Sequence, residues 1–361
     1  MPSRSHIFFA GPAILPVPVL EETRDAVVDF AGLGCSIMEI SHRSKEFDAV
    51  VNDAVKDTLA IMGLSLEEYA VIFLGGGASL QFAMLPMNFL HTKADYVVTG
   101  EWATKAAKEA KLVGQVNEAA SSKATNFNQI PKSISWSADA DYAHITTNNT
   151  IFGTRWNTVP DVGKVPLVAD MSSDMFSREL DFSKFSLIYA GAQKNLGPAG
   201  VTLVVIKKAW LEAKAKPNVP TMLKYKTHVD GNSLFNTPPV LPLFVLGRTL
   251  KWILKQGGLK AVQKANETKA GMIYGVMDAH PDFYKGNVEN TEDRSIMNIT
   301  FNLPTPELEE KFVSEAKKKK MLGLKGHRSV GGIRASIYNA CPVESVEELV
   351  KFMKEFRAAN T

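Results

Sequence analysis

The chain has 361 residues, of which 45% are hydrophobic and 22% are charged. This length exceeds the usual size of one domain, so we expect two domains and a sizeable core. Forty-one Lys and Arg residues oppose 38 Asp and Glu residues, which leaves a net charge of only +3. So small a charge argues against nucleic acid or a membrane surface as the main partner.

The two cysteines, Cys35 and Cys341, stand far apart in the sequence. They form neither a spaced metal motif nor a disulfide framework, which is typical of a protein from a reducing compartment. We therefore predict a cytoplasmic enzyme without a metal site.

The N-terminal region is apolar over residues 7–20, but Pro12, Pro16 and Pro18 interrupt it. These prolines exclude a continuous helical signal core, and the segment up to Pro18 is predicted to be extended and irregular. No stretch of the sequence is long and apolar enough to predict a membrane span.

Two helices are predicted next, at residues 20–30 and 47–62, because their apolar residues recur with helical spacing. The segment 37–43 between them has no such period and is predicted to be a loop.

From residue 69 onward, short apolar runs alternate with helical stretches. Continuous apolar strands separated by helices favour a mostly parallel sheet that is covered on both faces. Residues 201–206 follow the preceding strand after a short Gly/Pro loop, so we predict that they form an antiparallel neighbour. The other predicted strands are residues 69–74, 95–99, 142–146, 165–169 and 187–190.

The C-terminal third has a different pattern. Residues 215–242 are rich in Pro, Asn and Thr and are predicted to form a long functional loop. A long helix is predicted to begin near Leu243 and to continue past Gly257 and Gly258. Beyond it we predict a smaller α+β unit, with strands at residues 295–302 and 333–336 and helices at 307–320 and 346–358.

Asp170 ends the predicted strand at residues 165–169, and ligands of open α/β sheets lie beyond the carboxyl ends of strands. A carboxylate at the end of a buried strand needs a positive or hydrogen-bond-donating partner. The protonated ring nitrogen of pyridoxal phosphate is such a partner, and its charge makes that ring an electron sink. The alternative is an Asp that caps the following turn.

Lys194 lies in a loop of small residues, 191–200, with apolar strands on both sides. A lysine that binds a cofactor covalently must be partly desolvated and held still, and small neighbours let a flat ring approach closely. The alternative is a solvent-exposed loop lysine. The strand-end Asp170 lies 24 residues earlier (194 − 170), and this pairing indicates a pyridoxal-phosphate site more strongly than either residue alone.

A glycine-rich turn, Gly75-Gly76-Gly77, is followed by Ala78 and Ser79 at the start of a predicted helix. Glycines let backbone N–H groups approach a phosphate, and the helix N-terminus favours its negative charge. The turn is not followed by the Gly-Lys-Ser/Thr sequence of a nucleotide P-loop, so it indicates a phosphate cup of another kind.

Trp102, Thr150 and the pair Asn236-Thr237 are further candidates. Trp102 has the flat indole that can stack on a heteroaromatic ring, and a core tryptophan is the alternative. Asn236 and Thr237 can donate hydrogen bonds to a phosphate, and a simple turn is the alternative.

Three basic clusters are His42-Arg43, His327-Arg328 and Arg334. The arginine fork matches carboxylate and phosphate oxygens, so these clusters suit a substrate with two anionic ends. Surface ion pairs are the alternative for an isolated arginine.

Taken together, these segments resemble the phosphoserine aminotransferase family, in the class V group of pyridoxal-phosphate-dependent aminotransferases with the fold type I architecture. The segments at residues 41–43 and 326–336 are the most specific to this family. The resemblance runs nearly end to end, over residues 9–13, 15–16, 41–43, 75–81, 100–102, 170–173, 192–195, 236–238 and 326–336.

The resemblance implies a role for each cofactor-binding candidate. Lys194 would be the Schiff-base lysine and proton carrier, and Asp170 would pair with the pyridine nitrogen. Trp102 would stack on the ring, and Thr150 would contact its polar edge. The phosphate would be held by the backbone of Ala78 and Ser79, by Gln193, and by Asn236 and Thr237 from the other subunit of a homodimer. Many family members have an arginine where Ser79 stands, so this phosphate cup lacks a charge.

The substrate-binding residues follow from the same resemblance. Arg334 would bind the substrate α-carboxylate. The substrate phosphate, or the distal carboxylate of glutamate, would be held partly across the dimer interface by His42, Arg43, His327 and Arg328. The implied reaction converts L-glutamate and 3-phosphohydroxypyruvate into 2-oxoglutarate and O-phospho-L-serine, as in serine biosynthesis. Use of 4-phosphohydroxythreonine, as in pyridoxine biosynthesis, stays open.

Other readings remain at this point. One is another class V enzyme, such as a serine/alanine–glyoxylate aminotransferase, whose substrates lack a large distal anion. A cysteine desulfurase would need an activated cysteine, and Cys341 precedes Pro342 in a predicted turn with no obvious activating partner. The reading from a different class is a non-catalytic phosphometabolite-binding protein.

The resemblance also implies an architecture. We expect a large pyridoxal-phosphate domain at residues 17–258 with a mostly parallel seven-stranded sheet. A smaller α+β domain would follow at residues 259–361, and residues 1–16 would associate with it.

Overall fold

The computed structural model describes residues 4–361. The strands in this range are β1 (His6–Ile7), β2 (Tyr69–Leu74), β3 (Lys93–Val98), β4 (Gln115–Ser121), β5 (Ala143–Thr146), β6 (Leu167–Asp170), β7 (Leu187–Gly191), β8 (Thr202–Lys207), β9 (Lys285–Gly286), β10 (Asn298–Asn302), β11 (Met321–Leu322) and β12 (Ile333–Ser336). The helices are α1 (Val17–Val28), α2 (Lys45–Met62), α3 (Gly77–Phe89), α4 (Glu101–Ala110), α5 (Lys208–Lys214), α6 (Tyr225–Asp230), α7 (Val240–Lys255), α8 (Gly258–Ala279), α9 (Pro306–Lys318) and α10 (Val343–Ala358). None of the helices among residues 4–361 has both the length and the apolar character that crossing a bilayer requires.

The central sheet has seven strands in the order β2-β8-β7-β6-β5-β3-β4. β8 runs antiparallel to both of its neighbours, β2 and β7, whereas the other adjacent pairs are parallel. The predicted α/β class with a mostly parallel seven-stranded sheet is therefore confirmed. The antiparallel direction predicted for residues 201–206 is also correct.

Both faces of this sheet are covered, because alternate residues of a strand point to opposite sides. In β2, Val71 and Phe73 belong to one core cluster, with α2 and α7, and Ile72 and Leu74 belong to the other, with α3. A strand that is buried on both faces has a continuous apolar sequence, and this made most of the sheet recognisable from the sequence.

The site is positioned by two neighbouring parallel strands, β6 and β7. Asp170 is the last residue of β6 and pairs in register with Tyr189 of β7. Because parallel strands end at the same edge of a sheet, the turn that follows β7 returns beside Asp170. That turn carries Lys194.

One strand of the central sheet, β4, is not among the strands predicted from the sequence. It pairs with β3 alone, at the edge of the sheet. Its sequence, QVNEAAS, is polar, and only Ala119 among its residues is buried. An edge strand that is largely open to water needs no apolar run, so its sequence has no strand signal.

The predicted continuous helix past Gly257 and Gly258 is wrong. Helix α7 ends at Lys255, and α8 begins at Gly258. Gly257 and Gly258 have φ values of +96° and +73°, the left-handed backbone that favours glycine and ends a helix. The two glycines therefore separate two helices.

The predicted loop at residues 215–242 is also partly wrong, because it contains α6 and the first turn of α7. Likewise α1 begins at Val17, earlier than predicted, with Pro18 in its first turn. The first N–H groups of a helix have no partner within it, so proline is tolerated there.

A second unit forms around β12-β10-β9, a three-stranded antiparallel sheet. Its core combines α8, α9 and α10 with aromatic side chains, among which Phe312 lies beside Phe352 and Phe356. The start of the chain joins this core: β1 pairs in parallel with β11, and Phe8 and Ile14 are buried in the same cluster.

The division into residues 1–16, 17–258 and 259–361 stays a proposal. It is supported by the grouping of Phe8 and Ile14 with the C-terminal core, and by the change of helix at Gly257.

Replacing a buried leucine of the second unit tests whether its core contributes to stability. Leu349→Ala should lower the free energy of unfolding by about 2–5 kcal/mol, because Leu349 is fully buried and its loss leaves a cavity. Denaturant unfolding measures this. Leu112→Ala is the control, since Leu112 is 76% exposed, and equal effects of the two changes would contradict the described packing.

Candidate active site

Lys194 projects from the turn after β7 into a polar cleft. Its Nζ donates a hydrogen bond to Thr150 Oγ1 over 2.8 Å. Burial lowers the pKa of Lys194 to about 8, with Asp170 opposing this change and Arg334 adding to it. The backbone of Gly11 passes so close that an added Cβ would lie 3.3 Å from Lys194 Cγ. A lysine with this pKa has a substantial share of neutral, nucleophilic amine near neutral pH.

Asp170 lies beneath the same cleft and is only 4% exposed. Burial raises the pKa of its carboxyl, and the Lys194 ammonium and Ser172 oppose that shift. Its Oδ1 accepts the backbone N–H of Ser172 over 2.9 Å. A buried carboxylate suits a cationic or N–H partner supplied by a ligand.

Trp102 and Thr150 complete the cleft around Lys194. Trp102 lies in the first turn of α4, and the centroid of its ring is 5.5 Å from Lys194 Nζ. Its buried Nε1 has no hydrogen-bond partner in the described chain. The backbone carbonyl of Thr150 accepts a hydrogen bond from Arg334 Nη1 over 3.3 Å. The structure thus brings together five predicted site residues: Lys194, Asp170, Trp102, Thr150 and Arg334.

The glycine-rich turn leads directly into α3. Gly76 has φ +85°, and a Cβ there would lie 2.6 Å from the Leu80 side chain, so this approach requires glycine. The N–H groups of Gly77, Ala78 and Ser79 have no acceptor among residues 4–361. Free N–H groups at a helix N-terminus are suited to an anion.

Three basic side chains belong to β12 and the loop before it. Arg334 is half-buried in β12, and its Nε has no partner in the described residues. The His327 ring hydrogen-bonds Ser329 Oγ through Nδ1 over 2.7 Å. Burial, with Arg334 and Arg328 nearby, lowers the pKa of His327. Arg328 is exposed and makes no ion pair within residues 4–361.

Five predicted residues do not join this group within one chain. Arg43, Asn236 and Thr237 are exposed, and Asn236 Nδ2 bonds only the adjacent Thr237 carbonyl. His42 has a buried Nε2 without a partner among the described residues. The Gln193 side chain forms no hydrogen bond with residues 4–361, and the backbone carbonyl of Gln193 accepts the N–H of Ala13.

These groups fit pyridoxal phosphate. The cleft offers an amine of lowered pKa, a buried carboxylate, and an indole beside the amine whose buried Nε1 has no partner among residues 4–361. They suit an aldehyde, a ring N–H and a flat ring respectively. The free N–H groups of α3 suit the phosphate.

Comparison with known proteins identifies the family. The sequence model of the family Aminotransferase class-V matches residues 6–349.

The chain belongs to the class-V aminotransferases.

The relatives of this aminotransferase are close. Phosphoserine aminotransferase from Herpetosiphon aurantiacus is 53% identical over 97% of this chain and 98% of its own. The solved phosphoserine aminotransferase from Bacillus circulans subsp. alkalophilus is 50% identical over 99% of each chain, with a TM-score of 0.96. A solved PLP-bound phosphoserine aminotransferase from Trichomonas vaginalis is 36% identical, covers 97% of this chain and 100% of its own, and has a TM-score of 0.92. The resemblance predicted from the sequence is confirmed.

A buried network below the aminotransferase site was missed by the sequence reading. Thr147 Oγ1 donates to Asp174 Oδ1, and the backbone N–H of Thr147 donates to the Asp170 carbonyl over 3.0 Å. Asp174 in turn lies 3.8 Å from the buried Arg178, which also donates to the carbonyls of Trp156 and Asn157. The only sequence signal was Asp174, four residues after Asp170. Asp174 and Thr147 thereby fix the backbone at Asp170.

Two other arginines, Arg294 and Arg155, have structural roles. Arg294 makes two hydrogen bonds of 2.8 Å to Asp278, and Arg155 Nε donates to the Arg294 carbonyl over 3.0 Å.

Asp174→Asn should destabilise the fold by about 3–5 kcal/mol, because it leaves the buried Arg178 without its counter-charge. Denaturant unfolding measures this. Asp278→Asn is the matched control: the same substitution removes a charge from Arg294 at a site where Asp278 is 53% exposed, and it should cost about 1 kcal/mol or less. A smaller loss for Asp174→Asn than for its control would contradict the described network.

Proposed function

We propose that this class-V aminotransferase is a phosphoserine aminotransferase that uses pyridoxal phosphate. It transfers an amino group reversibly between L-glutamate and 3-phosphohydroxypyruvate, giving 2-oxoglutarate and O-phospho-L-serine. The carrying observation is that Arg334 adjoins the cleft that holds Lys194 and Asp170, and that His327 lies near both Arg334 and Arg328. Relatives about 50% identical over nearly the whole chain bear this name, so the glyoxylate-type alternative is not favoured.

Each residue of the cleft has a part in holding the cofactor. Asp170 would hold the ring N–H through its carboxylate, and Trp102 would cover one face of the ring. The N–H groups of Ala78 and Ser79 would bind the phosphate, and Gln193 would help from the turn of Lys194. Pyridoxal phosphate, when bound, supplies an electron sink for the charge that develops at the substrate Cα.

Lys194 is the base for the proton at the substrate Cα. With a pKa near 8, its amine can accept that proton at neutral pH and still release it afterwards. The Thr150 hydroxyl, 2.8 Å away, accepts a hydrogen bond from Nζ and directs the amine. Surrounding protein atoms keep water from most of the amine, which is consistent with its lowered pKa.

The basic side chains select the substrate. Arg334 would bind the α-carboxylate that glutamate and phosphoserine share. His327 and Arg328 would meet the distal group, which is a carboxylate in glutamate and a phosphate in phosphoserine. Arginine and histidine donors accept both anions, so one pocket serves both half-reactions. Alanine and glyoxylate have no such group for these residues to bind.

A homodimer with shared active sites accounts for the predicted residues that lie apart from the cleft. His42 and Arg43 would add to the substrate pocket of the partner subunit, and Asn236 and Thr237 to its phosphate cup. The chemistry of the four side chains supports these roles. All four have hydrogen-bond donors, and no hydrogen bond joins them to the Lys194 cleft within the described chain. The exposed side chain of Phe235 stands beside Asn236.

We propose a cytoplasmic location for the enzyme. Both Cys35 and Cys341 are free thiols, and thiols persist in a reducing compartment.

Capture of pyridoxal phosphate by the stripped protein tests the role of Lys194. The capture rate should rise about tenfold per pH unit up to pH 8 and then level off, because only the neutral amine reacts. Borohydride trapping followed by peptide mass spectrometry measures both rate and place. The control is the peptide that contains Lys269. Burial also lowers the pKa of Lys269 to about 8, but its Nζ donates hydrogen bonds to three backbone carbonyls. Trapping that is undiminished in Lys194→Ala would refute the assignment.

The substrate assignment is tested by Arg328→Ala and Arg43→Ala. Each should lower kcat/KM for phosphoserine by about 30-fold or more, since a lost charged contact costs about 2 kcal/mol or more. The affinity for pyridoxal phosphate should change little. Steady-state kinetics and cofactor titration measure the two quantities. Lys164→Ala, the loss of an exposed cation, is the control. An undiminished kcat/KM in both arginine variants would favour the glyoxylate-type enzyme instead.

A further inference from the structure

The loop that carries His327 and Arg328 is narrow at its base. Gly326 donates its N–H to the Gly332 carbonyl over 2.8 Å, and Gly331 donates to the His327 carbonyl over 2.8 Å. A Cβ on Gly326 would overlap the carbonyl of Gly331, so the two legs meet as only glycine allows. The two legs of the loop are therefore joined at the base, and the position of the loop depends on what holds that base.

Gly332 is the residue of the base that other elements hold. Its φ is +68°, and a Cβ there would lie 2.6 Å from the Phe301 carbonyl, so its backbone rests against the end of β10. Its N–H is not used within the loop. Instead it donates to Glu309 Oε2 over 3.0 Å. The side chain of Val330 also packs against a core cluster of the central sheet.

Glu309 reaches Gly332 from the first turn of α9 and is itself fixed. Its Oε1 accepts the Asn302 side-chain amide over 2.9 Å and the Leu303 N–H over 3.2 Å. One carboxylate thus joins α9, the end of β10 and the loop base. An acid near a helix N-terminus also stabilises the helix, but Glu307 and the Thr305 cap already serve that purpose here.

Only an ionised carboxylate can accept all three N–H groups, because both of its oxygens are acceptors. A glutamine has an NH₂ group in place of one carboxylate oxygen. That group would face either the Gly332 N–H or the donors of Asn302 and Leu303, and a donor would then oppose a donor. The choice of Glu at position 309 therefore matches the three donors around it.

We propose that Glu309 is a positioning residue for substrate binding: it holds the loop base so that His327 and Arg328 meet the distal anion of the substrate. This inference rests on the proposed function for its substrate, but not for the holding contact itself. Glu309 does not touch the Lys194 cleft, so its loss should affect capture of the anion far more than the chemical step.

The test compares Glu309→Ala and Glu309→Gln with Glu310→Ala in the cofactor-loaded protein. Glu310 is the neighbouring acid on α9, exposed and without a side-chain hydrogen bond or ion pair in the described chain. Amide hydrogen exchange of the peptide that spans residues 326–332 is read without substrate. The exchange rate should rise about tenfold in Glu309→Ala and by a smaller factor in Glu309→Gln. It should stay unchanged in Glu310→Ala.

Steady-state kinetics with phosphoserine form the second arm. Glu309→Ala should raise KM about tenfold and change kcat less than about twofold, with Glu309→Gln between it and the wild type. A fall in kcat at constant KM, or wild-type exchange in both Glu309 variants, overturns the proposal. Should Glu309→Ala fail to fold, Glu309→Gln decides by the same two readouts. If the wild-type enzyme does not turn over phosphoserine, the proposed function fails, whereas the exchange arm still judges the holding contact.

Discussion

The burial of two oppositely charged groups, Lys194 and Asp170, in one cleft is the constraint on which the site depends. Each group loses hydration in the cleft, and each moderates the pKa shift of the other. The two groups come together because the parallel strands β6 and β7 end side by side. Thr150 and Ser172 direct the two groups, and Thr147 with Asp174 fixes the backbone beneath them. The parallel pairing of β6 and β7 thus brings Asp170 close to the Lys194 amine, whose pKa it affects.

Much of the fold could be predicted because its central strands are buried on both faces. Strands β2, β6 and β7 have apolar sequences and were placed within a few residues of their observed bounds. Strand β4 was missed because an edge strand is not required to be apolar. The helix break at Gly257 was missed because apolar spacing continues on both sides, and only the backbone conformation of the two glycines separates α7 from α8.

Part of the candidate site could also be predicted, because two of its residues follow buried strands. Asp170 and Lys194 lie next to strong strand signals, so sequence reasoning could relate them to one edge of the sheet. Glu309 and Gly332 are 23 residues apart on different elements, and nothing in either neighbourhood indicates their contact. Residues such as Arg43 and Asn236 keep proposed roles, because a single chain does not bring them to the cleft.

The pairing of β1 with β11 joins residues that are separated by more than three hundred positions, His6 with Met321. During synthesis, the early segment that contains Phe8 has to wait for almost the whole chain before its core partners emerge from the ribosome. Contacts of such sequence separation form slowly, since a long chain must close before any contact stabilises it. We therefore expect the central sheet to assemble first and the small core, which includes the strand of Arg334, to close last.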